Sequence, residues 1–264
     1  MTRLYNTFHD LSRGFCGAYL VAEIKIFQHH TTTRTPLDKL TLRVYDIVKF
    51  SNKGRTSMIF QYGKTEIDYL KKRDKTLGRA IDAIGFIERS ANYETSNADL
   101  FSALIKAVVG QQISTKAAAT VWQRMEDGLG KVAPETILAI SEGDLQSFGI
   151  SFRKAGYIRG AAESVASGQL DILALHEKSD DQVVKELSSL NGIGTWTAEM
   201  LMLFAMQRPD ILSYGDLAIH RGMQKLYRRK KITPEMFEGY RQRYTPHSSV
   251  ASLYLWAIAG GAYI

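Results

Sequence analysis

Leu190–Met200 reads LNGIGTWTAEM, and Ser213–Gly222, shortly after it, reads SYGDLAIHRG. Two helical runs meet at Gly192-Ile193-Gly194. Glycine tolerates positive φ and lets a second backbone come close, so the bend reads as a very short hairpin between two helices, spanning about residues 183–206. The helix after the bend starts near Thr195. Its unpaired N–H groups and the positive end of its dipole face outward, which suits a phosphate. An ordinary αα-hairpin that needs glycine only for geometry would carry the same letters. About twenty residues later Asp216 opens DLAIHRGMQKLY. Aspartate is a preferred N-cap, and position 219 is Ile, so no capping box forms. A carboxylate at a helix start lies where the dipole favours negative charge. The same group can steady a developing sugar cation or orient water, and the cap and the catalyst are compatible roles.

Two neighbouring features carry similar ambiguity. Trp196, just past the bend, is either a core tryptophan or a stacking wall for an extruded base. An indole face would favour a positively charged ring. Gly110-Gln111-Gln112-Ile113-Ser114 breaks two apolar helical segments. It is either a plain connection or a polar probe that fills the gap left by a flipped nucleotide.

The chain of 264 residues is 45% hydrophobic, enough for one large domain or two small ones. No run of 18 apolar residues predicts a membrane span, and the N-terminus is a poor secretory signal. A single cysteine, Cys16, excludes an internal disulfide framework and a four-cysteine zinc or iron–sulfur site. A cytoplasmic protein is the plain reading. Net charge is +7, but residues 1–57 contribute +5 of it, so the basic excess lies mostly outside the motifs. Local clusters such as Arg153-Lys154 and Arg228–Lys231 carry more of the nucleic-acid signal than the total.

Residues 1–57 read differently from the rest. AYLVAEIKIF and LTLRVYDIVKF predict short strands, and His29-His30 reads as solvated loop rather than a metal site. From about Thr65 the periodicity is helical and predicts eight to ten helices. One is expected over Thr65–Ile87, with caps expected at Asn97, Ser114 and Ser179 or Asp180, and an end at Gly168. TAEMLMLFAM is apolar on all sides and predicts a buried helix.

Taken together, GQQIST (110–115), SFRKAGYI (151–158), LNGIGTWTAEM (190–200), YGDLAIHRG (214–222) and VASLYLWA (250–257) resemble the helix-hairpin-helix DNA glycosylases. Within them the chain is similar to the 3-methyladenine DNA glycosylase II branch, over residues from about 60 to 262. The resemblance implies an all-α, two-lobed fold with the active cleft between the lobes, in a domain 58–264. Residues 1–57 then form an N-terminal extension, either β-rich or disordered, and the reading taken is upstream sequence ahead of a start at Met58. Asp216 is implied as the catalytic carboxylate, and Trp196, Met200, His247 and Tyr157 as the base pocket. DNA contacts are implied at Gln111, Gln112, Ser114, Arg153, Lys154, Leu190, Gly192, Gly194 and Thr195. A monovalent cation on the hairpin's backbone carbonyls is implied, with no side-chain metal site and no organic cofactor. Bifunctional relatives carry a Schiff-base lysine where this chain has Trp196, so a monofunctional enzyme is expected. His247 replaces a usual Tyr or Trp, and Ser248 replaces a usual Arg.

The expected reaction is hydrolysis of the N-glycosidic bond of a purine methylated at N3 or N7 in double-stranded DNA, by a monomer. The cationic base is a good leaving group and needs little general-acid help. The alternatives are a glycosylase for deaminated or oxidised bases, or a non-catalytic helix-hairpin-helix module in which Asp216 is only a cap.

Overall fold

The computed structural model describes residues 24–26, 62–89 and 100–263. The twelve α-helices among them sort into two groups. The middle of the chain forms one lobe: α3 (Leu100–Gly110), α4 (Thr115–Leu129), α5 (Pro134–Leu138), α6 (Glu142–Ser147), α7 (Phe152–Ala166), α8 (Asp180–Leu187) and α9 (Thr195–Phe204). A 3₁₀ turn at Ala174–Glu177 links α7 to α8. Both flanks of that stretch form the other lobe: α1 (Lys64–Arg73), α2 (Lys75–Ile84), α10 (Leu217–Tyr227), α11 (Pro234–Tyr244) and α12 (Ser248–Ala259). Strand β1 (Ile24–Ile26) pairs antiparallel with β2 (Ile87–Arg89), in the register Ile24 with Arg89. The first predicted strand thus contributes three residues. The second, with Asn97, Cys16 and the His29-His30 pair, lies outside the described residues.

The helix count exceeds the expected eight to ten for two local reasons. The run expected as one helix over Thr65–Ile87 breaks at Asp74, whose side chain accepts from the Thr76 and Leu77 N–H groups and starts α2. Helix α11 was not anticipated. Thr233 caps it by accepting from Met236 N, and Pro234 fills its first position. Ser114 and Ser179 cap α4 and α8 as expected, the latter in a capping box with Gln182. Gly168, at φ +74°, closes the bend after α7.

Helix α12 is the axis of its lobe. All twelve of its residues are buried, including Ser248, Ser249 and Ser252. It runs against α10 so closely that a Cβ on Gly222 would lie 2.2 Å from the Leu255 carbonyl oxygen. Phe204 of α9 stacks on Trp256 of α12 at 5.7 Å between centroids, joining the lobes through one apolar core. On the far side Asp74 ties α1 and α2 to the later helices. Its Oδ2 accepts from the Tyr227 hydroxyl at 2.8 Å and from Arg243 Nη1 at 3.4 Å. Burial, with the adjoining Tyr244 and Asp74, pushes the Tyr227 hydroxyl far above its ordinary value, so it stays neutral and keeps its proton for Asp74.

Gly222→Ala drives a methyl group into backbone that cannot move away. We expect a loss of roughly 2–3 kcal/mol, read as a melting temperature lower by about 4–12 °C. Gly239→Ala in α11 meets no atom within 4 Å and should be neutral or slightly stabilising. Equal melting temperatures for the two variants would refute the close approach.

Candidate active site

Trp196 and Asp216 meet where α9 of the middle lobe faces the start of α10. Asp216 is the N-cap of α10. Its Oδ1 accepts from Ala218 N at 2.8 Å and Ile219 N at 3.0 Å. Its Oδ2 accepts from the indole N–H of Trp196 at 3.1 Å. Three N–H donors therefore fix the carboxylate, two from its own helix and one from the opposite lobe. Asp216 keeps 8% exposure, and Trp196 is half-buried.

The segment entering Asp216 is held from two sides. On one side lies the serine-rich start of α12. Ser249 Oγ donates to the Arg208 carbonyl and accepts from Ile211 N, and Ser252 Oγ donates to the Ile211 carbonyl. Ser248 N donates to Asp210 Oδ1, while its own hydroxyl is buried without a hydrogen-bond partner. Arg208 is itself pinned by Asp180 and by the Leu175 and Lys178 carbonyls. On the other side Glu199 of α9 accepts a hydrogen bond from Ser213 Oγ, and the Ser213 carbonyl accepts from Asp216 N at 3.3 Å. Burial pushes the Glu199 carboxyl above the usual carboxylate range. The Ser213 hydrogen bond pulls it back, and the charge of Asp216 adds to the rise.

The hairpin has the expected form. Gly192 has φ +84°, and Gly194 is the N-cap of α9. Leu190 is buried beneath the bend, while Gly192, Gly194 and Thr195 are exposed. Tyr157 lies against the hairpin: a Cβ on Gly192 would be 2.3 Å from its ring. It therefore braces the bend rather than standing free as a pocket wall. Gln111 Nε2 donates to the Gly192 carbonyl at 2.8 Å, linking the loop after α3 to the hairpin. Lys154 departs from its expected role. Its ammonium donates to the Val109 and Gln111 carbonyls and so supports that loop from within. Gln112 is exposed at the loop tip in the left-handed region, φ 59°, and Ser114 is committed to capping α4. Arg153 is exposed. The Leu190 and Gly192 carbonyls each already accept one hydrogen bond. A second lone pair on each still fits a hard monovalent ion.

Two expected pocket residues lie elsewhere. Met200 is 1% exposed and turned into the core, because α9 is apolar on that face. His247 precedes α12 and packs edge-on against Tyr69 of α1 at 5.0 Å, with no partner on α9 or α10 among its ring contacts. Sequence reasoning missed the rim that flanks Asp216. Tyr214 is 47% exposed, and its ring meets His220 and Phe237 edge-on at 4.9 and 5.0 Å. The His220 ring bonds the Tyr214 carbonyl at 2.8 Å; a carbonyl only accepts, so Nε2 carries the proton. Glu199, Ser249 and Ser252 were also missed. Their signal was present: polar residues inside helices that otherwise read as wholly apolar. Among the described residues no group of three or more His, Cys, Asp or Glu is arranged to hold a metal, and no helix is long and apolar enough to cross a membrane.

A glycine hairpin beside a capped, lobe-bridging carboxylate defines a helix-hairpin-helix protein with an acidic centre. The chain belongs to the HhH-GPD superfamily of base excision DNA repair proteins, whose family model matches residues 105–247. It is 29% identical over 198 residues to DNA-3-methyladenine glycosylase 1 of Schizosaccharomyces pombe, covering 73% of this chain and 86% of the relative. It is 25% identical over 173 residues to DNA-3-methyladenine glycosylase 2 of Escherichia coli, covering 61% of this chain and 58% of the relative. Among solved structures, DNA-3-methyladenine glycosidase from Bacillus halodurans matches with TM-score 0.68 and 33% identity, over 77% of this chain and 93% of that one. The S. pombe 3-methyladenine DNA glycosylase in complex with abasic DNA matches with TM-score 0.65 and 25% identity, over 76% and 100%.

Because folding holds Glu199 above its ordinary value of 4.5, its stabilising share is complete below that pH and is lost as pH rises through the folded value. Glu199→Gln should therefore melt higher than the parent at pH 7.5, with the gap closing towards pH 4. A gap that widens on acidification would contradict this assignment.

Proposed function

We propose that this chain is a monofunctional DNA glycosylase that hydrolyses the N-glycosidic bond of alkylated purines, of the 3-methyladenine and 7-methylguanine type, in double-stranded DNA. The observation that carries the reading is the Asp216 carboxylate, gripped by three N–H donors at the junction of the lobes and flanked by a half-exposed indole. The names of the relatives point the same way. Residues 58–264 form the catalytic domain in this reading, with 1–57 as an extension that contributes β1, and the protein acts as a monomer.

Each residue then has a chemical task. The hairpin from Leu190 to Thr195 holds a phosphate on the N–H groups at the start of α9. A monovalent cation on its carbonyls would supply added positive field beneath that phosphate. Gln111 and Gln112 enter the duplex and occupy the space of the extruded nucleotide. Gln112 serves as the tip, while Gln111 keeps the loop in register with the hairpin. The cationic base rests on Trp196, where the ring's negative face favours positive charge. A methylated purine leaves without prior protonation, so no strong general acid is needed. Asp216 faces C1′, stabilises the sugar cation as the bond opens and aligns the water that closes the reaction. The residue that would form a Schiff base in bifunctional relatives is Trp196, whose indole nitrogen has no basic lone pair. A lyase step therefore has no amine nucleophile at that position.

Asp216→Asn keeps a group of the same shape and removes the charge. Base release from randomly methylated duplex should fall by roughly 10²–10⁴ with little change in DNA affinity; undiminished release would end the assignment. Trp196 has two duties that two substitutions separate. Trp196→Phe retains a ring but lacks the donor to Asp216, and should slow release while keeping a preference for 7-methylguanine over hypoxanthine. Trp196→Ala should lose that preference as well. Equal losses on both bases in both variants would mark the tryptophan as structural only.

A further inference from the structure

Asp216 is directed by more than its own helix. The backbone that delivers it, Ser213 to Gly215, leaves the serine clasp of α12 at Ile211 and turns back on itself. The Asp216 N–H closes that turn on the Ser213 carbonyl at 3.3 Å. Gly215, at the turn's outer corner, is exposed. Ser213 is 1% exposed, so its side chain has no water to bond, and its hydroxyl is committed to Glu199 Oε2. Glu199 lies three residues after Trp196 on α9, on the same face of the helix. One helix therefore grips the acid twice: Trp196 holds its carboxylate, and Glu199 holds the turn behind it.

We propose that Glu199 and Ser213 form a positioning pair that sets Asp216 opposite C1′, an inference that rests on the catalytic reading of Asp216 given above. The alternative, that Glu199 only fills space in the fold, does not account for its location. A carboxylate is a costly filler for a half-buried position beside a second carboxylate, because both the loss of water and the like charge oppose it. The cost is consistent with a group kept for what it holds. What it holds is the one side chain of the turn that is both buried and three residues from the reacting acid. If the turn were free to shift, Asp216 would retain its α10 cap but lose its alignment to the sugar. The effect would then fall on the chemical step rather than on DNA binding.

The pair predicts a pattern that a filler role does not. Glu199→Ala and Ser213→Ala should each slow single-turnover base release from methylated duplex by roughly tenfold or more, and the double variant should be no slower than the worse single one. Affinity for a duplex carrying a tetrahydrofuran abasic analogue should stay unchanged. Glu199→Gln keeps an oxygen that accepts from Ser213 and should recover the rate to within about threefold of the parent. Thermal melting of each variant separates loss of fold from loss of rate. The pair is overturned if Glu199→Gln is as slow as Glu199→Ala, if the single losses multiply in the double variant, or if both alanine variants keep the parent rate while Asp216→Asn is inactive. Asp216→Asn releasing base at the parent rate would instead remove the catalytic reading, and this proposal with it.

Discussion

Helix α10 can lie where it does only because residue 222 has no side chain. The 2.2 Å separation between a hypothetical Cβ there and the Leu255 carbonyl leaves no room for one. That contact brings the start of α10 alongside the start of α12, and everything at the site follows from the adjacency. The serines at 249 and 252 reach the Arg208–Ile211 backbone because the two helix starts share one end of the lobe. Asp216 then emerges from a clasped segment rather than a loose one. A helix crossing is thus converted into the placement of one carboxylate, by hydrogen bonds that a wholly apolar α12 could not make.

The site also illustrates how unevenly a sequence displays its own fold. The hairpin and Asp216 were legible because their chemistry is local: glycines that permit a bend, and a carboxylate whose cap bonds run two and three residues ahead. Caps at Ser114 and Ser179 were legible for the same reason. What could not be read was nonlocal. The ring of Tyr157 and the ammonium of Lys154 look like surface groups available to a ligand, yet one is packed on Gly192 and the other is spent on the Val109 and Gln111 carbonyls. Met200 lies in a helix whose all-apolar pattern predicts burial, and the resemblance alone put it in the pocket. Asp74 starts α2 through a local cap, but its ties to Tyr227 and Arg243, over 150 residues away, left no local sign. Helix α11 escaped because its polar residues hid a narrow buried face of Phe237, Tyr240 and Tyr244.

Charge tells a similar story on a larger scale. The chain's net +7 does not describe the surroundings of Asp216. There, Glu199 and Asp216 lie to either side of Ser213, and their donors are the Ser213 hydroxyl, an indole and backbone amides. Binding to a polyanion depends on where cations stand rather than on their sum. In this chain Arg153 remains at the surface, whereas Lys154 is withdrawn into loop support.

The lobe containing Asp216 is assembled from residues 62–89 and 217–259, with more than a hundred residues of the other lobe between them. During synthesis the middle lobe has its full complement of helices once Phe204 has emerged. Helices α1 and α2 have by then existed far longer but still lack Tyr227, Arg243 and the whole of α12. Their apolar faces, including Leu70, Leu77 and Ile81, must wait for partners made much later. Closing so long a loop is slow relative to local helix pairing. The order of translation therefore finishes the glycine hairpin first and the acid-bearing half second, so the carboxylate gains its final setting only when the earliest and latest helices meet.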